Sequence, residues 1–136
     1  MNREKLKAQL RKHEGVRSRP YKDTVGKITI GVGRNLDDVG LDAMEIDYLL
    51  ENDITKVLKQ IALSLPWFDE LSERRQLVVA DMVFNLGITK FLQFKQTIAA
   101  IRDGDYGHAA DRMLESKWAR QVGQRAKTLA GMMRAG

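Results

Sequence analysis

Residues 13–33 read HEGVRSRPYKDTVGKITIGVG, and the change of period inside this stretch decides the fold class. Upstream, residues 3–13 carry Leu6 and Leu10 four apart amid Lys, Arg and Gln, the spacing of an amphipathic helix with a narrow apolar stripe. Gly15 is placed to stop it. From Val16 the pattern becomes that of strands: Pro20, a turn over 24–27, then Ile28, Ile30 and Val32 at alternate positions. A β-hairpin is expected, with Gly26 supplying the positive φ of the turn. Thr29, Gly31 and Gly33 fall on the opposite face of the second strand. Such a face has little to pack with and suits a place where another group comes close.

Beyond Leu41 the periodicity is helical throughout. Asp42 and Glu45 form a variant of the capping box. Ile46, Leu49, Leu50, Ile54, Val57, Leu58 and Ile61 then give a long apolar face that Pro66 breaks. Residues 77–86 (LVVADMVFNL) are apolar enough to predict a helix buried nearly all round, ended by Gly87. A helix over 91–101, one capped by Asp105, and a last pair over 118–133 interrupted near Gly123 complete the pattern. The expected fold is α+β and mostly helical, a single domain over 1–136. It has two lobes, a small hairpin lobe at about 15–40 and a helical bundle at about 65–136 with the first helix. A long helix joins them.

The chain has 136 residues and a net charge of +5, with 43% hydrophobic and 30% charged residues, an ordinary globular composition. It has no cysteine, so a disulfide scaffold, a thiol nucleophile and Cys-ligated metal are excluded. No apolar run approaches the ~20 residues of a membrane span, and the basic start lacks the apolar core of a secretory signal. The charge is arranged in blocks: +7 over residues 1–36, −7 over 37–70 and +5 over 71–136. Two basic segments could build a surface for a polyanion, whether nucleic acid, anionic lipid or cell-wall polymer; solvated helix faces are the plainer alternative.

Several chemical signatures are missing. GVGRNL (31–36) has Leu36 where a dinucleotide fingerprint needs glycine, and there is no G-K-[ST] phosphate loop. His13-Glu14 begins like H-E-x-x-H, but Arg17 stands at the second histidine and His108 is the only other one, so no metal site is expected. No G-x-S-x-G occurs. Glu14, Asp23 and Thr29 remain. Glu14 closes the first helix, where the macrodipole disfavours an anion; Asp23 enters the hairpin turn beside Lys22, among polar groups. One carboxyl group to protonate a leaving oxygen and one to act on water is what glycoside hydrolysis needs, and Thr29 could hold that water. A glutamate at a helix end and an aspartate in a turn are also common in any helical protein.

The same stretch resembles the active-site segment of the phage-type lysozymes, the muramidases of the T-even coliphage type. Glu14, Tyr21, Asp23, Gly26, Thr29, Ile30, Gly31 and Gly33 fit its pattern. RRQLVVADMVFNLG (74–87), FKQT (94–97) and ESKWARQVGQRAK (115–127) resemble the family as well. The resemblance implies cleavage of the β-1,4 bond between N-acetylmuramic acid and N-acetylglucosamine, by inversion and without a cofactor. It implies Glu14 as general acid, Asp23 as the group that orients or deprotonates water, and Thr29 as the residue that positions it. Phe84 and Thr97 would line the sugar cleft, with Asn35 and Arg112 as further sugar contacts, and Arg125 would pair with the acid.

Each of these has a plainer alternative: core packing for Phe84, an exposed hydroxyl for Thr97, a solvated charge for Arg125. Arg34 stands where the coliphage type has histidine, so the hydrogen bonds behind the acid must differ. The short 34–41 segment predicts a hairpin and little more sheet. The resemblance further implies an endolysin acting on peptidoglycan as a monomer, with no nucleic acid partner and no stable membrane insertion. It would accumulate in the host cytoplasm and reach the wall after a separate membrane-permeabilising protein, a holin, has acted. The alternative from another class is a basic helical nucleic-acid-binding module, with DYGHAADRMLESKW (105–118) as a helix–turn unit. It leaves Glu14, Asp23 and Thr29 unexplained.

Overall fold

Asn2 starts the first helix, α1 (Arg3–Glu14), by accepting the Lys5 N–H at 3.0 Å. Gly15 ends it at φ 80°, its N–H returning to the Arg11 carbonyl at 2.9 Å. The computed structural model describes residues 1–136, which divide into two compact units, 1–49 and 50–136.

In the first unit α1 is followed by an antiparallel sheet of order β1-β2-β3: β1 (Arg17–Lys22), β2 (Ile28–Gly31) and β3 (Arg34–Asn35). The expected hairpin is present, and β3 adds a short third strand. The register pairs Arg17 with Gly31 but Tyr21 with Thr29, so three residues of β1 stand opposite Ile30 alone. Pro20 lies in that bulge, where a missing N–H removes no ladder bond. Val32 does not continue β2. It sits in a tight turn between Gly31 and Gly33, both at φ 68°, which returns the chain so that Arg34 pairs with Ile30.

α2 (Ala43–Ser64) starts on the expected box. Asp42 Oδ1 accepts the Glu45 N–H at 2.8 Å, and Glu45 Oε1 accepts the Asp42 N–H at 3.0 Å. The helix ends two residues before Pro66. Its long apolar face is less covered than its composition suggests: Ile61 is buried, whereas Ile46, Leu50 and Leu58 are exposed.

The second unit holds the core. Ser72 caps α3 (Glu73–Leu86) and Gly87 stops it at φ 83°. Burial all round, expected from its composition, is wrong: Val78, Val79, Met82 and Val83 are buried, but Leu77 and Phe84, seven residues apart and so on one face, are exposed. The single helix expected over 91–101 is two, α4 (Ile88–Phe91) and α5 (Lys95–Arg102). Phe94 leaves helical geometry at ψ 56°, and its ring stacks on Phe91 with centroids 6.3 Å apart. Then come α6 (Tyr106–Glu115), capped by Asp105, α7 (Lys117–Val122), capped by Ser116, and α8 (Gln124–Ala135) after Gly123. α8 packs on α6, α3 and α7, enclosing Met82, Phe91, Ile101, Met113 and Met133. No helix is long and apolar enough to cross a membrane.

Candidate active site

The C-terminal residue of α1 is Glu14, and its carboxylate lies against the β2–β3 turn. A Cβ built on Gly33 would stand 2.6 Å from Glu14 Oε2 and 2.9 Å from its Cδ, so only a glycine leaves room. The close approach expected of the glycines is made at Gly33 alone, in the turn rather than on the face of β2, and the group that approaches is the candidate acid. Gly15, at a positive φ, turns the backbone immediately after Glu14.

Asp23 opens the β1–β2 turn. Its Oδ1 accepts the N–H groups of Val25 (3.0 Å) and Lys27 (2.8 Å), an Asx turn that fixes the side chain. The Asp23 N–H donates in return to the Lys27 carbonyl at 2.9 Å. That same carbonyl accepts the Thr29 hydroxyl at 3.0 Å. Asp23 and Thr29 are therefore tied to one another through the peptide groups of Lys27. A carbonyl can only accept, so the Thr29 proton is spent and its oxygen is left as an acceptor. Asp23 Oδ2 receives no hydrogen bond from the protein. Thr29 is 3% exposed, flanked across the sheet by Tyr21 on β1 and Asn35 on β3. Asn35 is thereby placed beside Thr29, but its amide is committed: Oδ1 accepts the Asp38 N–H at 2.9 Å and Nδ2 donates to Asp38 Oδ2 at 3.0 Å.

Arg34 is held by the start of α2. It bonds Glu45 at 2.7 and 2.8 Å and the Gly40 carbonyl at 3.2 Å. The Arg34 guanidinium and the Asp42 N–H together bring the Glu45 carboxyl from 4.5 down to about 2. The Arg34 guanidinium is raised in turn, chiefly by its hydrogen bond to Glu45. The Arg34 side chain is thus tied into the capping box.

The remaining candidates lie in the second unit. Phe84 is exposed, not core, and lines an apolar groove of about 370 Å³ with Leu50, Ile54, Leu58 and Leu77. Arg125 also lines it and is paired with Asp81, at 2.9 Å from Nε and 2.7 Å from Nη2. In the sequence Asp81 is marked only as a lone carboxylate inside LVVADMVF. Thr97 is buried, against the exposed hydroxyl that its helical position suggested, and lines a polar pocket of about 520 Å³ together with Arg112. The structure therefore gathers Glu14, Asp23, Thr29 and Asn35 in the first unit, Phe84 and Arg125 on one groove, and Thr97 and Arg112 in one pocket. No set of three or more His, Asp or Glu side chains converges in ligating geometry.

Comparison with known proteins shows the family. A probable T4-type lysozyme 1 of Dictyostelium discoideum is 25% identical over 96% of this chain and 94% of its own. A second from the same organism matches equally well. The SAR-endolysin of Escherichia phage Mu is 27% identical over 85% of this chain and 67% of its own. The phage lysozyme family model matches residues 11–135, a span that includes Glu14, Asp23, Thr29 and Arg125, and the chain belongs to that family.

Proposed function

We propose that this peptidoglycan hydrolase cleaves the β-1,4 bond between N-acetylmuramic acid and N-acetylglucosamine with inversion. Glu14 is the acid, Asp23 the base and Thr29 the holder of the attacking water. The observation that carries this is the pair of acceptors organised by Lys27. A water whose two hydrogens point at Asp23 Oδ2 and Thr29 Oγ1 has only its lone pairs left to present to the sugar. Its oxygen bonds to the anomeric carbon as the bond to the glycosidic oxygen breaks. Glu14 gives its proton to that leaving oxygen, Asp23 takes one from the water, and the balance is one water added across one bond. An inverting pair of carboxyl groups stands about 6.5–9.5 Å apart to admit the water, against about 5–5.5 Å for a retaining pair.

Phe84, Thr97, Asn35 and Arg112 serve as substrate contacts. Arg125, paired with Asp81, is open to exchange that partner for another carboxylate. That pair is about 40% exposed on both sides, and exposed ion pairs contribute only about 0–1 kcal/mol, so exchange costs little. On this reading the protein acts as a monomeric endolysin, made in the host cytoplasm and admitted to the wall by a holin; the similarity to a phage endolysin supports action on the cell wall.

Two measurements on one digest test the chemistry. Mass analysis is expected to find reducing muramic ends; anhydro ends would mean transglycosylation. Proton NMR of fresh product is expected to find the α-anomer first, and an initial β-anomer would take from Asp23 the role of base.

A further inference from the structure

The peptide group between Lys27 and Ile28 joins three side chains of the first unit. Its carbonyl accepts the Asp23 N–H at 2.9 Å and the Thr29 hydroxyl at 3.0 Å. Its N–H, on the opposite edge of the same plane, donates to Asp37 Oδ2 at 2.8 Å. A peptide unit is rigid, so a group that holds one edge also sets the direction of the other. Turning this plane would break all three bonds at once.

The Asp37 carboxylate stands where a sheet would normally supply backbone. Ile28 and Leu36 face one another as an antiparallel hydrogen-bonded pair, since the Leu36 N–H donates to the Ile28 carbonyl at 2.7 Å. In a regular ladder the Ile28 N–H would return to the Leu36 carbonyl. β3 stops at Asn35, and Asp37 takes that bond instead. Asp37 forms no ion pair, so this N–H is the one group in the chain that its side chain holds. An ionised acceptor bonds more strongly than a carbonyl, and it polarises the peptide so that the carbonyl at the far edge accepts more strongly too. The next residue, Asp38, grips the same place from the side, meeting Lys27 Nζ at 3.1 Å. We propose that Asp37 is a positioning residue for the hydrolysis: by fixing the 27–28 peptide it sets the Asp23 and Thr29 oxygens against the attacking water. It acts through the peptide and needs no contact with sugar or water. The proposal rests on the roles given above to Asp23 and Thr29.

The test compares Asp37→Ala with Asp37→Asn in the full chain, on soluble uncross-linked glycan strands. Asp37→Ala leaves the Ile28 N–H to mobile water, which does not fix the plane. Its kcat is expected to fall roughly tenfold while KM stays within about twofold, the signature of lost geometry at the reacting groups and not of lost binding. Asp37→Asn keeps an oxygen for the same N–H and should recover kcat to within about threefold of wild type. Amide NMR gives a readout apart from turnover, because the Val25 and Lys27 N–H groups both donate to Asp23 Oδ1. Asp37→Ala should shift both signals and speed their hydrogen exchange, and Asp37→Asn should return them towards wild type. An unchanged kcat in Asp37→Ala, a loss carried by KM, a loss that Asp37→Asn does not recover, a disturbance confined to Ile28, or a collapse of the melting temperature would each overturn the proposal. Release of reducing ends by the wild type reports separately on the hydrolase reading, so failure of one is distinguishable from failure of the other.

Discussion

Glu14 and Gly33 show how closely a catalytic proposal can depend on a missing side chain. Glu14→Gln keeps the shape and removes the transferable proton. It is expected to fold with an unchanged melting temperature and to lose lytic activity by the ~10²–10⁴-fold attributed to such a group. Retention of more than about a tenth of wild-type clearing would sink the assignment. Gly33→Ala attacks the same carboxylate from behind. Its methyl would stand 2.6 Å from Oε2, so the carboxylate has to move, and displacement of a reacting group by about 1 Å costs on the order of a hundredfold in rate. The left-handed φ adds strain of about 1–2 kcal/mol. Gly40→Ala separates the two effects, since Gly40 has nearly the same φ, 66°, but only a 3.9 Å neighbour in the Leu36 carbonyl. It should lose similar stability and keep its activity; equal inactivation of both variants would mean that strain, not collision, is responsible. At this scale the sequence was legible in part. The pattern of Thr29, Gly31 and Gly33 suggests one strand face open to close approach, but the chain turns after Gly31 so that only Gly33 is approached, and which group arrives there depends on where α1 ends in space. The tie through Lys27 is a backbone matter, and residue types alone carry little sign of it.

At the scale of elements, caps and stops read well because each is a local contact made by one residue type. Asp42 with Glu45, Asp105, Gly15 and Gly87 all act where their chemistry placed them. Pairings decided by tertiary packing read poorly. Nothing in FLQFKQTI (91–98) marks a break, since Phe91 and Phe94 keep helical spacing while their stacking pulls the backbone out of it. β3 is two polar residues long and has no β-branched run to announce it. In the sequence Arg34 marks only a departure from the histidine that the resemblance implies, whereas its structural meaning lies eleven residues on, at Glu45. That junction gives a pH dependence. The Glu45 carboxyl is depressed from 4.5 to about 2 by Arg34 and the Asp42 N–H, so the folded state favours its ionised form. Its contribution to stability is complete above about 4.5 and disappears as the pH falls towards 2. The melting temperature of Glu45→Gln should therefore lie below that of the wild type at neutral pH, with the gap closing over that interval. A gap that stays constant down to pH 2 would mean that the carboxylate charge contributes nothing at the start of α2.

For the whole molecule the three charge blocks resolve into paired and unpaired groups. The acidic segment after residue 36 is partly consumed locally: Asp37 accepts the Ile28 N–H at 2.8 Å, Asp38 meets Lys27 at 3.1 Å and Glu45 meets Arg34 at 2.7 Å. None of these carboxylates turns to α1 or β1. Of the eight Lys and Arg residues before Asp23, only Lys7 has a carboxylate partner, Glu4 at 3.2 Å, and the eight are exposed. Lys95, Lys117 and Lys127 are likewise without one in the second unit. A net charge of +5 therefore understates the field near the chain's basic segments, where unpaired cations outnumber carboxylates. Cations left unpaired on a surface add little to folding but raise the rate of encounter with an anionic partner, and a wall rich in carboxylates is such a partner. Steering of this kind is eroded by salt, because charges separated by more than a Debye length, roughly 8 Å at physiological ionic strength, are screened. Clearing of permeabilised Gram-negative cells is therefore expected to slow steadily as NaCl rises at fixed pH. Replacing Lys5, Arg11 and Lys12 by Gln should flatten that dependence while leaving clearing at high NaCl at its wild-type rate, since none of the three belongs to the proposed site. A profile already flat in the wild type would mean that these cations are ordinary solvated faces, and that the enzyme finds its substrate by contact with the sugar alone.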